Sequence, residues 1–187
     1  MDGSFVNERE ADSIVLLLQK MLKAGVSGDR IGVITPYVAQ QLILTRLLFN
    51  TFKRLRNKMY EQVEEFLDKI EIASVDAFQG REKDYIILSL VRSNMEQNIG
   101  FLSDRRRMNV SLTRAKRGLI VVGNGPTFVR NEKWTDFIKY CVSYGVYCEG
   151  DTEHFIPCQF TVTILPIKKI EDDESNEGSN PPIESFE

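Results

Sequence analysis

The sequence is poor in the residues that build disulfide frameworks and metal sites. It holds three cysteines, Cys141, Cys148 and Cys158, without a Cys-x-x-Cys spacing, and a single histidine, His154. An odd number of such cysteines indicates reduced thiols, as in cytoplasmic or nuclear proteins, rather than a secreted disulfide scaffold. One histidine near the chain end is not a ligand set for zinc, so no metal site is predicted.

Long apolar runs and phosphate-binding loops are also missing. No segment approaches the about 20 apolar residues of a membrane span, and the polar, acidic start is unlike a signal peptide. The sequence has no Gly-x-x-x-x-Gly-Lys-Ser/Thr loop and no Gly-x-Gly-x-x-Gly loop after a strand. The acidic run Asp172–Glu174 lies in the tail, where it is a poor magnesium ligand. The chain alone is therefore predicted not to hold ATP and Mg²⁺.

Charge is distributed unevenly along the chain. Residues 151–187 carry nine acidic side chains and two lysines, whereas residues 1–150 carry 22 basic and 18 acidic side chains. The mildly basic body is compatible with a phosphate-rich partner without requiring one. From about residue 168 the composition predicts disorder, because it offers little apolar area to bury. We therefore predict a folded domain over 1–150 and an acidic extension over 151–187, with a strand candidate at 160–164.

The apolar pattern alternates between helices and short buried strands. Four segments are predicted to be helices, 8–24, 38–67, 106–116 and 133–144, and the first of them shows a helical apolar period. Four short apolar runs are predicted to be strands: 31–35, 70–75, 85–91 and 119–122. The second helix divides into two if the chain breaks near Arg56-Asn57. Such runs are typical of strands buried on both faces, so the class is α/β with a mostly parallel sheet.

Two segments carry unusual polar residues. The first, Ser74–Asp84, follows a strand and is centred on Gly80. It is either a solvated charged turn or a ligand loop at the carboxyl end of the sheet. The second, Arg105–Arg117, holds six basic groups in thirteen residues, with Arg114 and Arg117 predicted on the last turns of a helix. It is either a solvated basic face or, because the helix also carries apolar residues, a set of fixed arginines suited to a phosphate.

Three motifs in the chain resemble those of superfamily 1 helicases. Thr35-Pro36-Tyr37 with Gln40 resembles motif IV, Val75–Asp84 resembles motif V, and Arg106–Ala115 resembles motif VI. Their order and spacing fit one domain, and the resemblance covers about residues 4–150. It favours the up-frameshift helicases of nonsense-mediated mRNA decay. It implies the second of two RecA-like domains, a three-layer fold of the P-loop NTPase type that lacks its own phosphate loop.

The resemblance implies a nucleotide site shared with a first domain. In this family ATP lies between two RecA-like domains, and the first domain supplies the phosphate loop and the carboxylates for Mg²⁺. Arg114 matches the arginine finger, a cation that acts on the γ-phosphate. Glu82 matches a residue that contacts the nucleotide, and Gly80 is expected to let the backbone approach it closely.

The resemblance also implies a path for single-stranded RNA or DNA. The residues expected to contact the strand are Thr35, Pro36, Tyr37, Ser74, Val75, Asp76 and Asn109. Thr35 is expected to bond a backbone phosphate, and Tyr37 either to stack on a base or, the favoured alternative, to pack within the domain. Such contacts carry no sequence information. Asn109 is expected to link the nucleic-acid site with the nucleotide site.

Three interpretations of the whole chain stay open at this stage. It is part of a larger helicase, or a stand-alone module that binds nucleic acid or protein without ATPase activity, or a domain that pairs with a separately encoded first domain. The expected partners are single-stranded nucleic acid, a first RecA-like domain in cis or in trans, and mRNA-decay factors. No residue pattern distinguishes RNA from DNA, since no module that reads the 2′-hydroxyl is recognised.

Overall fold

A parallel sheet between two helical layers forms the described part of the chain. The computed structural model describes residues 4–148, and for residues 54–60 it describes the backbone alone. The helices are α1 (Glu8–Lys23), α2 (Val38–Lys69), α3 (Arg105–Thr113), α4 (Gly125–Phe128) and α5 (Glu132–Ser143). The strands, all parallel and ordered β2-β1-β3-β4, are β1 (Ile31–Ile34), β2 (Glu71–Ala73), β3 (Lys83–Ser89) and β4 (Ala115–Val122). The predicted α/β class with a mostly parallel sheet is confirmed.

The sheet has an apolar core on each face because successive strand residues point to opposite sides. Ile31 and Val33 pack with α1 and α2, whereas Ile34 belongs to the cluster formed with α3 and α5. On that second face Trp134 is 1% exposed, and its indole Nε1 donates to the carbonyl of Leu102 at 2.8 Å. The predicted three-layer arrangement is therefore present. No helix in the described part of the chain combines the length and the apolar composition needed to cross a membrane.

Side-chain caps fix where α1 and α3 begin. Asn7 caps α1, since its Oδ1 accepts from the backbone N–H of Glu10 at 3.1 Å. Asp104 caps α3 by accepting from the N–H groups of Arg106 at 2.8 Å and Arg107 at 3.2 Å. These bonds, from Arg107 first and then from Arg106, lower the pKa of the Asp104 carboxyl. Because capping sets the first turn, it also sets the direction in which Arg107 leaves the helix.

Several predicted boundaries differ from the structure. The alternative of two helices near Arg56-Asn57 is wrong, because α2 is continuous. The helix predicted to residue 116 ends at Thr113, because Ala115 is already paired with Lys83 as the first residue of β4. Arg117 therefore lies on a strand rather than on a last helical turn. The strand candidate at 160–164 and the acidic extension lie outside the described residues, so the two-part division of the chain stays a prediction.

Gly32 makes room for the ring of Phe78 against β1. A Cβ built on Gly32 lies 2.7 Å from Cζ of Phe78 and 2.8 Å from Cδ1 of Ile86. Phe78 is fully buried and lies midway along the segment that joins β2 to β3. We expect Gly32→Ala to lower the free energy of unfolding by about 1–3 kcal/mol, because the core is overpacked. Urea unfolding of the two proteins measures this difference.

A second substitution tests whether Phe78 is the cause. Phe78→Leu replaces the ring that the new methyl group meets with a shorter side chain. The costs of Gly32→Ala and Phe78→Leu are therefore expected to be less than additive in the double variant. Simple additivity would mean that Gly32 and Phe78 do not act on each other.

Candidate functional site

The candidate residues are divided between the two ends of the parallel strands, which we call the two edges of the sheet. The carboxyl edge is the side on which β1 to β4 end, and the amino edge is the side on which they begin. β3 has seven residues, so the two edges lie about 20 Å apart along this strand. Apart from Asn109 on α3, the residues predicted to contact nucleic acid follow β1 and β2 at the carboxyl edge. Residues predicted to contact a nucleotide lie at the amino edge.

A shallow cavity at the carboxyl edge brings together residues that are far apart in the sequence. Its volume is about 70 Å³, and its lining consists of Pro36, Ser74, Val75, Asp76, Phe101 and Arg107. Four of these six residues were predicted from the sequence to contact nucleic acid. The segment after β1 and the segment after β2 thus share one surface depression, as neighbouring parallel strands permit.

Arg107 and Phe101 are the members of this cavity that sequence reasoning missed. The Nε and Nη2 atoms of Arg107 lie 3.3 Å from the two carboxylate oxygens of Asp76. The Arg107 guanidinium also lies over the Phe101 ring, 4.9 Å from its centroid, within cation–π distance. The run Arg105–Arg107 was visible as basic sequence, but its pairing with Asp76 links positions 31 residues apart. No local pattern reports such a pairing.

Thr35 and Tyr37 are more deeply buried than Pro36 between them, and so are placed less favourably for direct contact with nucleic acid. The side chain of Thr35 is fully buried, and its hydroxyl has no hydrogen-bond partner among the described residues. The predicted bond from Thr35 to a phosphate is therefore not available in this conformation. Tyr37 is 4% exposed and packs against Phe5, at 5.3 Å between ring centroids, and against Phe101, at 6.0 Å. Its packing role is the one that the sequence favoured.

These aromatic contacts continue into a longer arrangement, which we call the arginine–aromatic row. The row consists, in order, of Arg92, Phe5, Tyr37, Phe101 and Arg107. The Arg92 guanidinium lies 4.0 Å from the centroid of the Phe5 ring. The row thus has an arginine at each end and three aromatic rings between them, each in contact with the next. Arginine and aromatic faces are the groups on which single-stranded nucleic acid stacks and binds.

Gln40, the glutamine of the motif IV resemblance, is a buried structural residue. Its Oε1 accepts from the backbone N–H of Asn7 at 2.8 Å, and its Nε2 donates to the Asn7 carbonyl at 3.1 Å. The same Nε2 lies 3.3 Å from the hydroxyl of Ser89, at the end of β3. Gln40 thus holds the start of α1 and the end of β3 together, and its buried amide is satisfied by these bonds.

Arg114 lies at the amino edge, immediately beyond the last residue of α3. Its Nε donates to the carbonyl of Val110 at 3.2 Å, and its Nη2 donates to Oγ1 of Thr113 at 2.9 Å. Its Nη1 lies 3.5 Å from the Arg81 carbonyl, and the Arg114 carbonyl accepts from the N–H of Lys83 at 3.1 Å. The predicted arginine and the predicted Gly80–Glu82 loop are therefore neighbours.

The Gly80 loop lies on the opposite side of the sheet from the position predicted for it. The segment after β2 crosses the sheet, so Gly80 and Glu82 come just before β3, at the amino edge and not at the carboxyl end of a strand. Gly80 has φ +80° and is exposed, with no atom within 4 Å of a Cβ built there. Glycine is favoured here by conformation, and the open space leaves room for a ligand. Glu82 is also exposed.

Charges at the amino edge are largely paired with one another. Asp84 accepts from Arg30 at 2.7 Å and lies 3.3 Å from Arg117. Glu71 pairs with Arg81 and lies 3.5 Å from Lys83. Within residues 4–148, by contrast, no carboxylate is placed in an ion pair with Arg114. Its charge is bonded to neutral oxygens and stays available for an anion.

α3 connects the two edges, and Asn109 lies in its middle. The helix begins beside the carboxyl-edge cavity, where Arg107 meets Asp76, and it ends beside β3 at Arg114. The Asn109 carbonyl accepts from the hydroxyl of Thr113 at 2.8 Å. Asn109 thus lies between Arg107 and Arg114 on α3, and its linking role stays a prediction.

Comparison with known proteins gives a consistent assignment. The profile of the AAA domain family matches residues 1–126. The chain is 48% identical over 165 residues to "Regulator of nonsense transcripts 1" of Caenorhabditis elegans, covering 88% of this chain and 15% of that protein. It is 38% identical over 196 aligned positions to "ATP-dependent helicase NAM7" of Saccharomyces cerevisiae, covering 98% of this chain and 19% of that protein.

The match covers only a small share of the length of each relative. The "Regulator of nonsense transcripts 1 homolog" of Drosophila melanogaster is 44% identical over 147 residues, which are 79% of this chain and 12% of that protein. The chain thus spans less than a fifth of the length of these three relatives. The resemblance to superfamily 1 helicases of the up-frameshift type is confirmed: the chain belongs to the AAA domain family and is a homologue of the regulator of nonsense transcripts 1 helicases.

Proposed function

We propose that this domain is the second motor domain of an ATP-dependent nucleic-acid helicase. Its carboxyl edge contacts single-stranded RNA, and its amino edge supplies Arg114 to ATP held by a first domain. The single observation that carries the proposal is the convergence of Pro36, the segment Ser74–Asp76 and Arg107 on one cavity. These residues come from three separate parts of the chain, and each part resembles a helicase motif.

The chemistry of the carboxyl edge supports a nucleic-acid strand as its ligand. Arg107 offers a guanidinium that it shares with Asp76, Ser74 a hydroxyl and backbone, and Phe101 an aromatic ring, all around the same depression. In this proposal these groups contact the backbone and the faces of the bases, and such contacts carry no sequence information. Thr35 joins this surface only if its buried hydroxyl becomes exposed when the strand binds.

The chemistry of the amino edge supports a shared nucleotide site. Arg114 has a charge that no carboxylate of the described residues pairs with, and Gly80 and Glu82 are exposed beside it. Within the described residues no cluster of three or more metal-ligating side chains occurs, so in this proposal Mg²⁺ is held by the first domain. When bound there, ATP supplies the free energy of its hydrolysis. Arg114 would then neutralise charge at the γ-phosphate, and Glu82 would contact the nucleotide.

Coupling between the two edges follows from shared elements. α3 carries Arg107 at one end and leads into Arg114 at the other, with Asn109 between them. A movement of Arg114 toward the nucleotide therefore shifts the end of the helix that lies beside the nucleic acid. In this proposal, closing of the two domains tightens or loosens the grip of the carboxyl edge on the strand.

The names of the relatives suggest the biological setting. One group is named as regulators of nonsense transcripts and another as ATP-dependent helicases. We propose that the present domain serves a helicase of this kind, with a first RecA-like domain in cis or in trans and with mRNA-decay factors as partners. A cytoplasmic or nuclear site of action fits this setting.

Arg107→Ala tests the carboxyl edge directly. We expect the variant to bind a fluorescent single-stranded RNA about fivefold more weakly, to a similar extent for different sequences, with the salt dependence reduced by about one phosphate contact. Fluorescence anisotropy at several salt concentrations measures both quantities. Arg117→Ala is the matched control, because Arg117 is exposed at the opposite edge. Equal losses in both variants would contradict the proposal, and a parallel titration with DNA would report the preferred nucleic acid.

A further inference from the structure

Val91 has a backbone conformation that a valine rarely adopts. Its φ is +66°, in the left-handed region that disfavours β-branched side chains. The N–H of Arg92 donates to the carbonyl of Leu90 at 2.7 Å, which closes a three-residue turn around Val91. This turn follows the end of β3 at the carboxyl edge. A strained residue of this kind persists only where the surrounding structure holds it, and such residues concentrate at functional sites.

Two side chains, from the capping residue of α1 and from its first turn, hold both polar groups of the Val91 backbone. Oε2 of Glu10 accepts from the Val91 N–H at 2.8 Å, and Nδ2 of Asn7 donates to the Val91 carbonyl at 3.1 Å. The two side chains also meet each other, at 3.0 Å between Asn7 Nδ2 and Glu10 Oε1. Ser89 adds a third donor, 2.8 Å from Glu10 Oε2. We call Asn7 and Glu10 the Val91 clamp.

The burial of Glu10 indicates that the clamp serves a specific purpose. Glu10 is only 6% exposed, and burial raises the pKa of its carboxyl to about 7, although the bonds from Val91, Ser89 and Leu90 act in the opposite direction. Burying a carboxylate is unfavourable unless its oxygens are satisfied. The oxygens of Glu10 are satisfied by Val91, Ser89 and Asn7, so the buried carboxyl group is committed to holding this turn.

The turn that the clamp holds determines where Arg92 lies. Directly after Val91, Arg92 is placed over the Phe5 ring, and its Nε donates to the carbonyl of Asn98 at 2.9 Å. Arg92 forms one end of the arginine–aromatic row. The other end, Arg107, lines the carboxyl-edge cavity. An open cavity of about 350 Å³ adjoins it, lined on its polar side by Ser93, Asn94, Glu96 and Asn98.

We infer that Arg92 is a second cationic contact for the single strand, and that Asn7 and Glu10 are the positioning residues that hold it there through Val91. This inference rests on the proposed function and deepens it. The strand follows the row from Arg107 at one end to Arg92 at the other, with the exposed part of Phe5 between them. The clamp touches no nucleic acid itself. It acts by fixing the turn from which Arg92 projects.

A double-mutant cycle on the whole 187-residue chain separates positioning from general stability. Arg92→Ala and Glu10→Gln are each expected to weaken binding of a single-stranded RNA about fivefold, the loss expected for one phosphate contact. The double variant is expected to bind no more weakly than either single variant, because Glu10 acts only through Arg92. The measurement is made at pH 8, where the Glu10 carboxylate is ionised. A stability effect alone would instead persist in the Arg92→Ala background.

Three outcomes overturn the inference in distinguishable ways. Wild-type affinity of Glu10→Gln, or losses that multiply in the double variant, removes the positioning role while the proposed function stands. Failure of the unsubstituted chain to bind RNA removes the proposed function and this inference with it. If Glu10→Gln does not fold, Asn7→Ser takes its place, since serine still caps α1 but cannot reach Val91. NMR tests separately whether the clamp holds the turn. The positive φ of Val91 gives a strong intraresidue nuclear Overhauser effect between Hα and HN, and this signal must weaken in either variant.

Discussion

Arg114→Ala is expected to reduce ATP turnover about 10³–10⁵-fold in a protein that also carries the phosphate-binding domain, the effect typical of an arginine that stabilises phosphoryl transfer. The reason is geometric as well as electrostatic. Arg114 is held at the amino edge by Val110, Thr113 and Arg81, and it has no carboxylate partner among the described residues. RNA binding is expected to change little, since the substituted side chain lies about 20 Å from the carboxyl edge along β3.

A chimera provides the test. This domain replaces the matching stretch of yeast NAM7, to which it aligns over 98% of its length, and steady-state ATP hydrolysis is measured with saturating RNA. Arg117→Ala is the matched control, because Arg117 is an arginine at the same edge whose charge is paired with Asp84. We expect this control to keep turnover within about twofold, as an exposed ion pair contributes little. Normal turnover in the Arg114→Ala chimera would remove the arginine-finger assignment.

The free energy of unfolding is expected to fall by up to about 3 kcal/mol as pH rises from 4.5 to 7, through Glu10 alone. Burial raises the pKa of this carboxyl from 4.5 to about 7. Between these values the folded protein holds a proton that the unfolded chain has released, so raising the pH favours unfolding. The contribution is complete below pH 4.5 and is lost as the pH passes 7.

The contribution of Glu10 is isolated by a difference measurement. Urea unfolding of the wild type and of Glu10→Gln is compared from pH 4.5 to 8, because the glutamine does not titrate. The stability of the wild type relative to Glu10→Gln is expected to decrease across this range. Glu8→Gln is the control, since Glu8 is exposed on the first turn of the same helix. A difference between wild type and Glu10→Gln that does not change with pH would contradict the burial of an ionisable Glu10.

The elements of the fold could be predicted because each has a strong local signal. The apolar runs at residues 31–35 and 85–91 indicated strands buried on both faces, and the period of residues 8–24 indicated an amphipathic helix. The clearest exception was the end of α3. Residues 114–116 have a composition that a helix accepts, but pairing with β3 extends β4 back to Ala115. Sheet pairing is a tertiary effect that overrides local propensity.

Parts of the candidate site depend on contacts that no local pattern records. The motifs led to Ser74–Asp76 and to Arg114, but the partner of Asp76 proved to be Arg107. The edge on which Gly80 lies depends on where β3 begins. Glu10 did leave a signal, since it precedes Ile14 and Leu18 by four and eight residues and so falls on their buried face. The strain at Val91 left none, because a valine after an apolar run is typical of a strand.

The segment Ser74–Glu82 has a mechanical consequence. It is the crossover that leads from the end of β2 at the carboxyl edge to the start of β3 at the amino edge, and the buried Phe78 ring fixes it midway against Gly32. Because Phe78 anchors the middle of this segment, a displacement at one end in the proposed helicase would reach the other end through that anchored point.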